Sequence, residues 1–307
     1  MFELFIILKD IILPVFILMG IGFILHKKFT LNLSTLAKVN IYLFVPGFIF
    51  VKLYQTQISW QLFGNIALFF IAFIAILFVI ATIIAKFSKI EGGKKTAFTN
   101  SVMFYNSGNY GVPVNDLVFK SDPFAMSVQV LILTMQNIFL FSYGIFSLQS
   151  IRKGKLKALL GYFKMPVMYA MIAGIVFNAL NVTVPSFLFV PATYIADGLV
   201  AMALITLGAQ VAELKFKSGL LTVYLSLTLR LIVGPIVAIG IIYLFRIEGT
   251  FAQALLISSA MPTSVNSAVI AQEYNNHPHF AAQVVMFSTL VSALTVTVVI
   301  YVARILF

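Results

Sequence analysis

The 307-residue chain is 61% hydrophobic and only 9% charged, has a net charge of +11 and contains no cysteine. A soluble protein carries about 25% charged residues, so composition excludes a soluble globular enzyme and assigns an all-α integral membrane protein, without disulfides or thiolate metal sites. The length suits roughly ten spans of about 20 residues, with no room for a separate soluble domain.

Span 1 is expected from Leu4 to Leu25, with Pro14 inside it, followed by His26-Lys27-Lys28. No basic region precedes it and no small-residue cleavage site follows, so it reads as a retained span and not a signal peptide. Span 2 covers Ser34 to Tyr54, with Lys38, Pro46 and Lys52, and ends in a polar turn from Gln55 to Gln61. Span 3 covers Leu62 to Ala85, and Lys86, Lys89, Lys94 and Lys95 follow around Gly92-Gly93. Span 4, Thr96 to Phe119, is interrupted; Asp116, Lys120, Asp122 and Pro123 form the next loop. Span 5, Ala125 to Leu148, contains Gln136-Asn137 and leads into the basic link Gln149 to Lys157.

Span 6 covers Leu159 to Leu180, with Pro166, and an uncharged loop runs from Asn181 to Pro191. Span 7 covers Ala192 to Ala212 and is followed by Glu213, Lys215 and Lys217. Span 8, Gly219 to Phe245, carries Arg230; span 9, Phe251 to Glu273, is interrupted like span 4; span 10 covers Phe280 to Leu306. His277-Pro278-His279 reads as a turn between the last two rather than a metal site. Lys and Arg cluster after spans 1, 3, 5 and 7, which places those loops in the cytoplasm and both termini outside. That charge pattern explains the positive excess without a nucleic-acid partner. The loop after span 9 belongs inside too, although it carries only His277 and His279.

Ten spans divide into two sets of five, residues 1–150 and 151–307, and an odd number per set inverts the second copy in the bilayer. Ile12-Leu13-Pro14-Val15 leads to Gly22, and Lys164-Met165-Pro166-Val167 leads to Gly174 with the same Pro-to-Gly spacing. The interrupted spans are fourth in each set. The first holds Asn106-Ser107-Gly108-Asn109-Tyr110-Gly111-Val112-Pro113, the second Ala260-Met261-Pro262-Thr263-Ser264-Val265-Asn266-Ser267. Glycine and proline loosen a helix. Backbone groups freed at that depth are tolerated only inside protein or along a cavity.

At these residues, and at Ala271-Gln272-Glu273-Tyr274-Asn275-Asn276-His277-Pro278, the chain resembles the auxin efflux carrier family, the plant auxin carriers and their bacterial relatives among organic-acid permeases. Asn106, Gly111 and Pro113 fall on that family's Asn, Gly and Pro. Asn109 and Asn266 fit its bacterial pattern, and the short link Gln149 to Lys157 stands where many plant members have a long cytoplasmic loop. The resemblance implies two inverted five-helix repeats, a scaffold and a mobile core meeting at crossing broken helices, a homodimer, and carboxylates such as malate or malonate as substrates.

The candidate substrate-binding residues are therefore Asn106, Gly108, Asn109, Gly111, Pro113, Pro262, Thr263 and Asn266. Half-helix N-termini at the breaks would suit a carboxylate, C-termini a cation. Gln136 and Asn137 either line the same cavity or pack helices. Asp197 is either a buried proton carrier or, as the reading prefers, a solvated helix start; a proton or a sodium ion is the admissible coupling partner. Arg230 is expected to snorkel to the cytoplasmic side, and Lys38, Lys52 and Glu273 to sit at interfaces. Asn32-Leu33-Ser34 and Asn181-Val182-Thr183 match glycosylation sequons. No metalloprotease, nucleophile-elbow or phosphate-loop motif is present, and no cofactor is expected. The expectation is a multi-pass carrier of the cytoplasmic membrane for a small organic anion, with a ligand-binding sensor that keeps the fold, or a channel, as the alternatives.

Overall fold

The computed structural model describes residues 2–55, 60–120, 122–144, 146–147, 166–213 and 220–307. The helices are α1 (Phe2–Phe29), α2 (Leu33–Gln55), α3 (Trp60–Phe87), α4 (Gly92–Met103), α5 (Gly111–Phe119) and α6 (Pro123–Gly144), then α7 (Pro166–Ala179), α8 (Ser186–Glu213), α9 (Leu221–Leu244), α10 (Gly249–Ser259), α11 (Val265–Glu273) and α12 (Pro278–Leu306). Among the described residues there is no strand, and seven helices (α1, α2, α3, α6, α8, α9 and α12) are long and apolar enough to cross a membrane. The remaining helices are the apolar α7 and two segments divided in the middle, α4 with α5 and α10 with α11. The link Gln149 to Lys157, the start of span 6, and Lys215 and Lys217 lie outside the described residues.

Prolines leave a regular mark on the long helices. Wide π turns occupy Leu8–Ile12, Asn40–Phe44 and Leu229–Val233, and each is followed two residues later by Pro14, Pro46 or Pro235. A proline inside a helix removes one N–H and its ring presses on the carbonyl four residues back. The added residue in a π turn relieves that contact while the helix continues. A fourth π turn, Leu140–Gly144, has no such proline.

Several boundaries differ from the sequence expectation. Asp116 lies inside α5 and not in a loop, because that half-helix begins only at Gly111. Pro191 lies inside α8, which starts at Ser186. Asp197 is consequently about three turns into its helix rather than at its start. Asn32 caps α2 by accepting the Thr35 N–H at 2.9 Å. His277 takes a left-handed conformation and turns the chain into α12.

The helices pack as two groups. α1 runs along α8, and α2 along α7 and α8. The second group holds the divided segments: α10 lies against α6, α9 and α12, and α4 against α3 and α12. The groups meet where α2 touches α6 and where the start of α1 touches α5 and α12. In the first group the backbones of α1 and α8 touch. A Cβ on Gly22 would strike the Ile205 carbonyl, and one on Gly208 the Met19 carbonyl. Small residues that allow such approach are the usual adhesive between helices in lipid, where there is no hydrophobic drive to associate. Gly208→Leu should therefore lower the unfolding temperature in detergent, by about 1–3 kcal/mol of stability. Gly64→Ala on α3, where a Cβ would meet open space, should leave it unchanged or raise it slightly. Equal melting of the two variants would contradict the close helix contact.

Candidate functional site

The first break lies between α4 and α5. Phe104 leaves the helix with extended backbone, and Asn106 to Tyr110 form a tight turn that re-enters a helix at Gly111. The second break lies between α10 and α11 at Met261 to Ser264. The two breaks pair with each other. The Asn106 N–H donates to the Pro262 carbonyl at 2.7 Å, and the Ser264 N–H to the Phe104 carbonyl at 2.8 Å, an antiparallel bridge centred on Tyr105 and Thr263. Chain that has left one helix thus finds its partners in chain that has left the other.

Side chains complete the pairing. Thr263 Oγ1 donates to the Ser101 carbonyl at 2.8 Å, and its N–H donates to Ser288 Oγ at 3.1 Å. Gln129 Nε2 donates to the Ser107 carbonyl at 2.6 Å. The Gly111 and Val112 N–H groups donate back to the Asn106 and Gly108 carbonyls, at 2.9 and 3.1 Å. The positive end of α5 is therefore partly occupied by its own turn, contrary to the expectation of bare N–H groups.

Arg230 departs most from its expected place. It does not snorkel: it is 0% exposed. Its Nη1 donates to the Val102 carbonyl at 2.9 Å, and its Nη2 to the Ser259 carbonyl. The guanidinium carbon lies 4.9 Å from the centre of the Tyr105 ring and 5.4 Å from that of Phe73. Snorkelling fails because the π turn at Leu229–Val233 directs residue 230 at the last turns of α4 and α10, where unpaired carbonyls await a donor.

A cavity of about 30 Å³ lies beside the paired breaks, lined by Asn106, Gly108, Asn109, Gln136, Asn137 and Asn266 together with Tyr105, Ser107, Ser264, Ile41, Val45, Leu133, Leu140 and Val167. Six of the ten residues proposed from sequence for substrate contact thus share one space. Gly111, Pro113, Pro262 and Thr263 do not line it. A Cβ at Gly111 would come within 2.5 Å of Gln129 Nε2, so only glycine leaves that amide its place. Asn106 Nδ2 and Gln136 Oε1 are buried without a protein partner. A donor and an acceptor left open at one wall suit a polar ligand, because an unmade buried hydrogen bond costs about 1–3 kcal/mol. The volume holds water and not a four-carbon acid.

Asp197 lies elsewhere. It lines a second cavity of about 400 Å³ with Lys52, Gln55, Asp116, Val112 and Met126. Val45 of the first cavity and Phe48 and Lys52 of the second follow one face of α2, as the helical period requires. On the opposite side Phe104, Phe139, Tyr143 and Tyr274 form an aromatic cluster around Leu140 and Ile270. Lys52, near the end of α2, also lines the second cavity. Gln129 was not anticipated, although it is a polar residue two turns before Gln136 on α6 and so shares its face. Gly111→Ala should destabilise the protein by about 1–3 kcal/mol through overpacking. Adding Gln129→Ala should recover part of that loss, and a double-mutant cycle with no coupling would refute the contact.

A model of the membrane transport protein family matches residues 7–300. An uncharacterized transporter of Methanothermobacter thermautotrophicus is 25% identical over 297 residues, covering 92% of this chain and 94% of that protein. An uncharacterized transporter of Methanocaldococcus jannaschii is 24% identical over 299 residues, covering 94% and 96%. Auxin efflux carrier component 6 of Arabidopsis thaliana is 28% identical over 143 residues, 45% of this chain and 25% of the plant protein. The family is one of multi-pass membrane transporters and not of enzymes. With a match over nearly its whole length, the chain belongs to the membrane transport protein family, the family of the auxin efflux carriers.

Proposed function

We propose that the protein is a secondary carrier for a small organic anion, working by alternating access. The observation that carries this reading is the pairing of two broken helices beside a cavity into which two amide groups, on Asn106 and Gln136, present unmet hydrogen-bonding capacity. Amide donors, the start of α11 and a guanidinium behind the Tyr105 ring all favour negative charge. A carboxylate of the malate or malonate class fits them, and the auxin named for the plant relatives is itself a carboxylate.

In this reading α1, α2, α7 and α8 are the scaffold, and the group holding both breaks moves against it in the manner of an elevator. The ten membrane segments form two inverted five-helix repeats. Gly22 supports this: it seats α1 on α8, while Gly174, in the matching place of the second half, seats α7 against Phe50 and Leu53 of α2. Each half's first helix thus rests on the other half's second, as a two-fold in the membrane plane demands. With the basic loops inside and both termini outside, the 400 Å³ cavity is the outer vestibule and the aromatic cluster at Phe104 and Phe139 is the inner seal. A homodimer in the cytoplasmic membrane, held through the scaffold, completes the proposal.

Uptake of labelled malate into proteoliposomes, with and without an imposed pH gradient, tests it. The wild type should accumulate malate, with a proton as the coupling partner if the gradient drives uptake. Asn106→Ala and Asn266→Ala should lower uptake about tenfold or more, the worth of a hydrogen bond to a charged group, with unchanged yield and melting temperature. Full uptake by both variants would refute the site. Binding of a carboxylate without flux, across a panel of such acids, would make the protein a sensor instead.

A further inference from the structure

Four half-helix ends meet at the paired breaks, and the protein treats the two kinds of end differently. The ends of α4 and α10 are C-terminal, each equivalent to about half a negative charge. A site with two such ends and exposed carbonyls suits a mobile cation. Here Arg230 occupies it. One guanidinium reaches Val102 on α4 and Ser259 on α10, so about two half-charges face one whole positive charge. Among the described residues no carboxylate is within ion-pair distance of Arg230. Among the described residues the carbonyl ends are the negative groups it meets, and the Tyr105 and Phe73 rings, at 80° to each other, attract its charge through cation–π contact; its Nε is buried without a protein partner.

We propose that Arg230 is a resident cation, filling the place at the crossing of α4 and α10 that a mobile coupling cation would otherwise take, so that the protein neither binds nor needs sodium there. Tyr105 is one of the residues lining the cavity, and its ring lies against the Arg230 guanidinium. The fixed charge therefore also sits one ring behind the anion site and draws the substrate. Because the guanidinium is forked and planar, it ties both breaks together, and they move as one piece. An ammonium could supply the charge but not both aligned bonds. The transport part of this inference rests on the carrier reading above; the cation-site part does not.

The test follows melting temperature and malate uptake for wild type, Arg230→Ala and Arg230→Lys, in sodium, choline or low-millimolar guanidinium at matched ionic strength. Wild type should melt and transport alike in sodium and choline. Arg230→Ala should melt lower and transport about tenfold or more slowly, and guanidinium should restore both where choline does not. Arg230→Lys should transport at an intermediate rate without sodium and gain nothing from guanidinium. If Arg230→Ala yields no folded protein, Arg230→Lys and the wild type decide by the same criteria. A sodium-dependent melting shift or sodium-dependent uptake in the wild type would overturn the proposal. So would an Arg230→Ala protein that melts like wild type, or one that guanidinium does not restore. If no carboxylate is moved under any condition, the carrier reading fails, and the guanidinium-specific melting shift still decides the cation site.

Discussion

A backbone that leaves the helix in the middle of a membrane must find partners for its amide groups within the protein, because lipid offers none. Everything around Tyr105 and Thr263 follows from that constraint. Each break uses the other as its sheet partner, through two hydrogen bonds and nothing longer. The remaining carbonyls are taken by Gln129, Thr263 and Arg230, which come from three different segments. None of these donors could be dispensed with unless another polar group took its place, since an unpaired amide in hydrocarbon costs several kcal/mol. The polar core of this apolar protein is therefore built largely on reciprocal pairing, although Arg230 Nε, Asn106 Nδ2 and Gln136 Oε1 are among the buried groups that stay without a protein partner.

The charge of the site is set by the same arrangement. Partial negative charge on two helix ends is met by one buried guanidinium. A burial of this kind would be ruinous for an isolated arginine. Here the cost is offset by two carbonyl acceptors and two aromatic faces, all assembled before any ligand arrives.

The conformation also has a direction. Room exists on the side of Lys52, Asp116 and Asp197, and aromatic rings fill the side of Phe139 and Tyr143, whose rings stack 5.0 Å apart. Between them the 30 Å³ space at Asn106 is too small for an organic acid. α2 and α7 supply Ile41, Val45 and Val167 to one wall, and α6 and the breaks supply the other. The space thus lies on the boundary between the two packing groups.

The sequence by itself determined the membrane character, the order of the helices, the two interruptions and six of the residues around the cavity. Those follow from local facts: apolar runs of a given length, glycine and proline where a helix cannot continue, and amides where lipid forbids them. Only the tertiary structure decided where Arg230 goes, that Gln129 holds Ser107, and that Asp197 borders the larger cavity and not the breaks. An isolated span with one arginine looks the same whether the side chain rises to the surface or turns inward. The choice depends on carbonyls at Val102 and Ser259, each separated from it by a long stretch of chain. Likewise, whether a half-helix end is bare or occupied is settled by the turn folded back on it at Asn106 and Gly108, a relation in space that no periodicity records.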